Sequence, residues 1–105
     1  MTHQEAAEFL RTHDNYLIIT HKRPDGDAIG CSVALAEMLR GIGKTAWLLP
    51  SLDATDLFTE YRAGQTARSG YKPDTVVTVD LASLGLLPPN GAPWKDAVQL
   101  AIDHH

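Results

Sequence analysis

The sequence predicts an α/β fold in which helices flank a parallel β-sheet. Short apolar segments rich in β-branched residues alternate with segments that have helical spacing. The apolar segments are nearly continuous, which is typical of strands covered on both faces. Strands that alternate with helices form βαβ units, and these units produce parallel sheets. At 105 residues and 44% hydrophobic content, the chain has the size of one globular domain.

Four apolar segments are predicted to form the strands of this sheet. Each is short, and each is followed at once by a polar residue or a proline. The connection at residues 53–64 is predicted to be irregular or a short helix. The four strands are residues 16–20 (YLIIT), 45–49 (TAWLL), 75–79 (TVVTV) and 97–102 (AVQLAI).

Two helices are predicted, one before and one after the first strand in the sequence. Residues 2–12 carry apolar side chains at helical spacing. Asp27 is expected to cap the second helix, which Gly41 and Gly43 end. Cys31 is expected to pack as a small apolar residue. The apolar face of the second helix is expected to consist of Ile29, Val33, Leu35, Met38, Leu39 and Ile42.

The composition excludes several classes of partner. A formal net charge of −4 gives no basic field to hold long duplex nucleic acid, so a phosphate ligand must be held by local features such as cations. No apolar run approaches the ~20 residues that a membrane span needs, and no signal peptide is evident. With a single cysteine, a reducing compartment is expected. We therefore expect a cytoplasmic protein without a membrane partner.

Side chains that can bind metal follow three of the four predicted strands. Parallel strands place their carboxyl ends at one edge of the sheet, where open α/β sheets bind ligands. We therefore expect the polar groups after the first, third and fourth strands to converge. They are His21, Asp25 and Asp27 after the first strand, Asp80 after the third, and Asp103, His104 and His105 after the fourth.

The chemistry of these residues predicts bound divalent ions. Four carboxylates brought together would repel one another, and their pKa values would rise, unless cations neutralised them. Carboxylate oxygens and imidazole nitrogens without thiolate suit Mn²⁺ or a similar ion. Asp80 can bridge two ions about 3.5–4 Å apart, the spacing used in two-metal phosphoryl transfer. The predicted reaction is phosphoester hydrolysis by metal-bound hydroxide.

Each cluster taken alone has a simpler explanation. The DGD sequence at residues 25–27 is often a solvated turn. Asp80 could cap the next element, and the two terminal histidines resemble part of an affinity tag. All of these explanations would have to hold together at three strand ends, so we prefer the metal site.

The same segments resemble a known protein family. HKRPDGDAIG at residues 21–30, Asp80 at the end of VVTVD, and IDHH at residues 102–105 resemble the first three motifs of the DHH phosphoesterases. The first motif is most similar to the nanoRNase and pAp-phosphatase branch and less similar to the RecJ exonucleases. The resemblance implies a Rossmann-like DHH domain. It also implies a phosphohydrolase that acts on short oligoribonucleotides or on 3′-phosphoadenosine 5′-phosphate (pAp).

The resemblance implies a ligand set for two Mn²⁺ ions. His21 and Asp25 would bind the first ion. Asp27 and His104 would bind the second ion. Asp80 would bridge the two ions.

The resemblance further implies roles for the last residues of the chain. His105 would contact the scissile phosphate or assist the leaving group, and Asp103 would orient its neighbours. A fourth motif and a C-terminal substrate-binding domain would lie beyond residue 105. Residues 1–105 are therefore expected to be the N-terminal portion of a truncated DHH catalytic domain, with little or no activity alone. The exposed last strand is expected to be poorly ordered or to pair with another chain, as in a homodimer.

Other functions remain open at this point. A cyclic-dinucleotide phosphodiesterase or a manganese pyrophosphatase would use the same chemistry. A non-catalytic metal-binding scaffold would need only the ligands. A phosphoacceptor signalling domain also places acidic residues after its first strand and an aspartate after its third, but only fold-level analogy supports it.

Overall fold

The described residues form a four-stranded sheet with two α-helices on one face, which confirms the predicted α/β fold. The computed structural model describes residues 2–20, 26–50, 64–68, 70–79 and 89–102, without the side chains of residues 26–28 and 89–90. In chain order the elements are α1 His3–Thr12, β1 Tyr16–Ile19, α2 Gly26–Gly41, β2 Ala46–Leu48, β3 Thr75–Val79, a 3-10 helix Pro89–Ala97 and β4 Val98–Ile102.

The strands of the sheet are parallel and lie in the order β2-β1-β3-β4. β1 pairs with β2 on one side and with β3 on the other, and β3 pairs with β4. In chain order, β2 is therefore added on one side of β1, and β3 and β4 are then added on the other side. β1 and β3 are the neighbouring strands at this reversal, and open α/β sheets bind ligands beyond the carboxyl ends of such strands.

The side chains of β1 divide the core between the two faces of the sheet. Tyr16 and Ile18 join one buried cluster, and Leu17 and Ile19 join another, as the two-residue period of a strand requires. All four are at most 1% exposed. α1 and α2 both pack on the first face, where α2 contributes the fully buried Leu39.

The two α-helices begin at His3 and Gly26, and the first of them has a capping interaction. Thr2 caps α1, because its hydroxyl accepts a hydrogen bond from the Glu5 backbone N–H while the Glu5 carboxylate accepts one from the Thr2 N–H. α2 begins at Gly26. Asp27 therefore lies in the first turn of α2 and is not its cap, which corrects the predicted start.

The outward face of α2 is more apolar than predicted. Met38 and Ile42 were expected on the buried face, but they are 50% and 55% exposed. Successive residues of a helix are about 100° apart, so burying Leu39 turns Met38 towards the outside. Cys31 is also exposed, and the prediction that it packs as an apolar residue is wrong.

β4 differs from the expectation of strands covered on both faces. Leu100 is buried, but Gln99, Ala101 and Ile102 are exposed. The pairing with β3 shifts register at Val76, so that β4 contains one additional residue, as in a β-bulge. Among the described strands, β4 pairs with β3 alone.

A turn before β1 holds the amino ends of three strands together. Asn15 has φ 54°, in the left-handed region that asparagine tolerates better than most residues. Its carbonyl accepts hydrogen bonds from the backbone N–H groups of Asp74 and Thr75, at 2.9 and 3.2 Å. The Asp14 carboxylate accepts from the N–H groups of Thr45 and Asn15, both at 2.7 Å. The starts of β1, β2 and β3 are thereby tied to one another.

The hydrogen bonds to Asp14 predict a loss of stability in acid. The N–H groups of Thr45 and Asn15 favour the ionised carboxylate and hold the pKa of Asp14 below its usual value of 3.8. This contribution to folding is fully present above the pKa of the unfolded chain and is lost as the pH falls through the lower folded pKa. We expect the urea midpoint of Asp14→Asn to fall less with acidification than that of the parent.

The matched control is Asp96→Asn, which removes an exposed carboxylate from the 3-10 helix. This variant should keep the acid dependence of the parent. An unchanged acid dependence in Asp14→Asn would show that the carboxylate does not stabilise the turn.

Within the described ranges, neither helix has the length and apolar content required to cross a membrane.

Candidate metal centre at the carboxyl edge

The ends of β1, β3 and β4 lie side by side at the carboxyl edge of the sheet. Ile19 pairs with Thr78, and Val79 pairs with Ile102. One residue beyond this pairing, the Thr20 hydroxyl donates a hydrogen bond to the Val79 carbonyl at 2.7 Å and joins the two strand ends. Since adjacent strands are about 4.8 Å apart, the three strand ends together span roughly 10 Å.

The predicted site residues follow these strand ends in the sequence. Asp80 and Asp103 come directly after the last residues of β3 and β4, and His21 follows β1 after one intervening residue, Thr20. For Asp27 the structure gives only the backbone, in the first turn of α2. The predicted side chains all lie outside the part of the chain that the structure describes, so the ligand set stays a prediction: His21, Asp25, Asp27, Asp80, Asp103, His104 and His105.

The amino end of α2 lies at the same edge of the sheet as these strand ends. This is because α2 follows β1 in the chain and leads back to the start of the parallel strand β2. The first N–H groups of a helix have no partner within the helix, and the helix dipole places partial positive charge there. Such a helix start can donate hydrogen bonds to a phosphate group.

Comparison with known families bears directly on this edge. The sequence model for the DHH family, N-terminal domain, matches residues 15–105. The chain belongs to the DHH family. Members of this family are generally phosphoesterases, and the parallel sheet with flanking helices agrees with the fold of its N-terminal domain. A search of curated proteins found no match to this chain.

The matched DHH range contains every predicted site residue, whereas α1 precedes it. Among the side chains that the structure describes, no three from His, Cys, Asp and Glu come close enough to hold a metal ion together. Asp14 and Asp74, for example, lie at the amino edge of the sheet. The described part of this DHH domain therefore offers no competing metal site.

Thr20 is a residue of this edge that the sequence analysis did not identify. Its half-buried side chain joins the end of β1 to the end of β3, one residue before His21 and Asp80. Threonine is common in strands, so its presence at residue 20 carried no signal of a special role. The hydrogen bond limits how far apart the backbones of β1 and β3 can lie where the segments with predicted ligands begin.

Proposed function

We propose that this chain provides the metal-binding part of a phosphohydrolase that acts on short oligoribonucleotides or on pAp. The strand order carries the proposal. The three strands followed by predicted ligands, β1, β3 and β4, are neighbours in the sheet. β2 is followed by Leu49 and Pro50 and by no predicted ligand, and it lies outside this group. Segments that are far apart in the sequence therefore begin within a short distance of one another.

The donor set of this edge fits two divalent ions. His21 and Asp25 would hold one ion. Asp27 and His104 would hold the other, with Asp80 shared between them. Asp80 follows β3, the middle strand of the three, which suits a ligand with neighbours on both sides. The hard oxygen and imidazole donors favour Mn²⁺, and when bound such ions polarise phosphoryl oxygens and lower the pKa of water.

Other groups of the chain would bind and orient the substrate. The N–H groups at the start of α2 would donate hydrogen bonds to phosphate oxygens. His105 would contact the scissile phosphate or protonate the departing oxygen, and Asp103 would orient the neighbouring imidazoles. Thr20 would keep the ends of β1 and β3 aligned.

The same features suggest where the protein acts. A net charge of −4 supports short nucleotide substrates over long duplex nucleic acid or a membrane surface. The single cysteine supports a cytoplasmic location. Among the described strands β4 pairs with β3 alone, and a homodimer would add a strand at its other edge.

Chelation of divalent ions tests the proposal. The natural protein that contains this chain, treated with a chelator, should lose hydrolysis of a diribonucleotide and of pAp, and Mn²⁺ should restore it. Activity that persists in chelator would contradict the two-metal mechanism. A panel with a cyclic dinucleotide and pyrophosphate separates the alternatives, because faster hydrolysis of either would identify a different substrate class. Mn²⁺ binding without hydrolysis of any of these compounds would favour a metal-binding scaffold.

A further inference from the structure

The face of the sheet opposite α1 and α2 carries a groove with aromatic walls. We call it the aromatic groove and define it by Trp47, Arg68, Tyr71 and Trp94. It consists of two pockets of about 300 and 440 Å³ that share Arg68 and Tyr71. Leu17 of β1 forms part of the wall of the smaller pocket. The smaller volume lies at the lower end of the range for small-molecule sites, ~300–1,000 Å³.

The aromatic rings of this groove are fixed in place but only partly covered. The Arg40 guanidinium lies 5.0 Å from the ring centre of Trp47. The Tyr71 hydroxyl donates a hydrogen bond to the Tyr16 carbonyl at 3.0 Å, and burial raises the pKa of Tyr71 to about 12, so this donor stays protonated. Trp94 packs against the buried cluster on this face. All three aromatic residues are half-buried and line the pockets, so part of their surface remains accessible in the groove.

Arg68 is the charged residue among the described residues that line the groove. Its side chain is exposed, and within the described chain its guanidinium takes part in no ion pair. Arg40 differs, because it donates hydrogen bonds to the Ala46 carbonyl and to the Gln65 side chain. No carboxylate occurs among the described lining residues. Arg68 therefore offers an anion a guanidinium that forms no ion pair with a described carboxylate.

We propose that the aromatic groove binds a nucleoside monophosphate, with the base against the aromatic rings and the phosphate on Arg68. A nucleotide carries a planar ring and an anion within one small molecule. Aromatic side chains stack on bases of any sequence, and a guanidinium binds phosphate through paired N–H donors. The proposal does not depend on the hydrolytic function, since the described residues on which it rests, Trp47, Arg68, Tyr71 and Trp94, are not among the predicted metal ligands.

Tryptophan fluorescence tests the proposal, because the only two tryptophans of the chain both line the groove. Adenosine 5′-monophosphate (AMP) is added to this chain in the presence of a chelator, with excitation at the red edge of the indole band. We expect saturable quenching with a Kd below about 1 mM. Adenosine and ribose 5-phosphate should each bind at least about tenfold more weakly, because each lacks half of the recognised group. Absence of saturable quenching by AMP would overturn the proposal.

Two matched variants identify the role of Arg68. Arg68→Gln should weaken AMP binding about tenfold and leave adenosine binding unchanged, which also verifies that the groove is folded. Lys95→Gln removes the same charge from an exposed position of the 3-10 helix and should bind AMP as the parent does. Equal AMP affinity in Arg68→Gln and the parent would overturn the proposal. An equal loss in both variants would also overturn it, since it would indicate general electrostatic attraction.

Discussion

Replacement of Asp80 by asparagine is expected to reduce Mn²⁺-dependent kcat by more than about a hundredfold, beyond the 10–100-fold that is typical when an outer partner of a metal ligand is removed. Asp80 follows β3, which has β1 on one side and β4 on the other. In the proposed centre Asp80 would contribute to both ions, and the amide of asparagine would supply no negative charge to neutralise them. The measurement is hydrolysis of a diribonucleotide by the natural protein at increasing Mn²⁺ concentrations.

Asp96→Asn provides the control for this loss of charge. Asp96 is exposed on the 3-10 helix before β4, and its replacement by asparagine removes one carboxylate, as Asp80→Asn does. This variant should keep the kcat and the Mn²⁺ dependence of the parent. Full activity of Asp80→Asn would reject the proposed metal centre, and equal loss in both variants would assign the effect to net charge.

Replacement of Leu39 by alanine is expected to lower the free energy of unfolding by about 2–5 kcal/mol. Leu39 is fully buried and packs in the same cluster as Tyr16 and Ile18 of the central strand β1. Its truncation removes apolar contacts and leaves a cavity between α2 and the sheet. Small domains have total stabilities of roughly 5–15 kcal/mol, so this change would remove a large part of it. Urea denaturation followed by circular dichroism measures the difference.

Met38→Ala is the matched control, since Met38 precedes Leu39 in α2 and is 50% exposed. It should cost less than about 1 kcal/mol, because little apolar surface is lost from the core. If the two variants lost equal stability, the packing described for α2 would be wrong.

The sequence predicted the positions of the helices and strands better than it predicted which of their side chains are buried. β1 and β3 were recognisable because every residue of each is buried, which favours a run of apolar and β-branched residues without charged side chains. The orientation of α2 was less predictable, since apolar residues occur on all its sides and periodicity alone did not separate Met38 from Leu39. The exposure of β4 depends on which strands lie beside it, and its own sequence does not contain that information.

The candidate site shows the same division. The residue types and their positions after strands predicted a shared metal centre, and the family match covers all of them. Their convergence depends on β3 pairing with β1 and not with β2, a choice of strand order that no local pattern determines. The hydrogen bond from Thr20 to Val79 was likewise invisible, because it joins residues far apart in the sequence. The ligand set itself remains a prediction.

The turn at Asp14 and Asn15 has a consequence for the opposite edge of the sheet. An extended strand rises by an almost fixed length of about 3.3 Å per residue, so the position of its first residue and its number of residues determine where it ends. Anchoring the first residues of β1 and β3 at one level, as the Asn15 carbonyl does, decides the level at which both strands finish. A shift of one residue in the pairing at Asn15 would displace the carboxyl ends of β1 and β3 by one residue relative to each other. The geometry of the proposed metal centre would thus depend on contacts at the amino edge of the sheet.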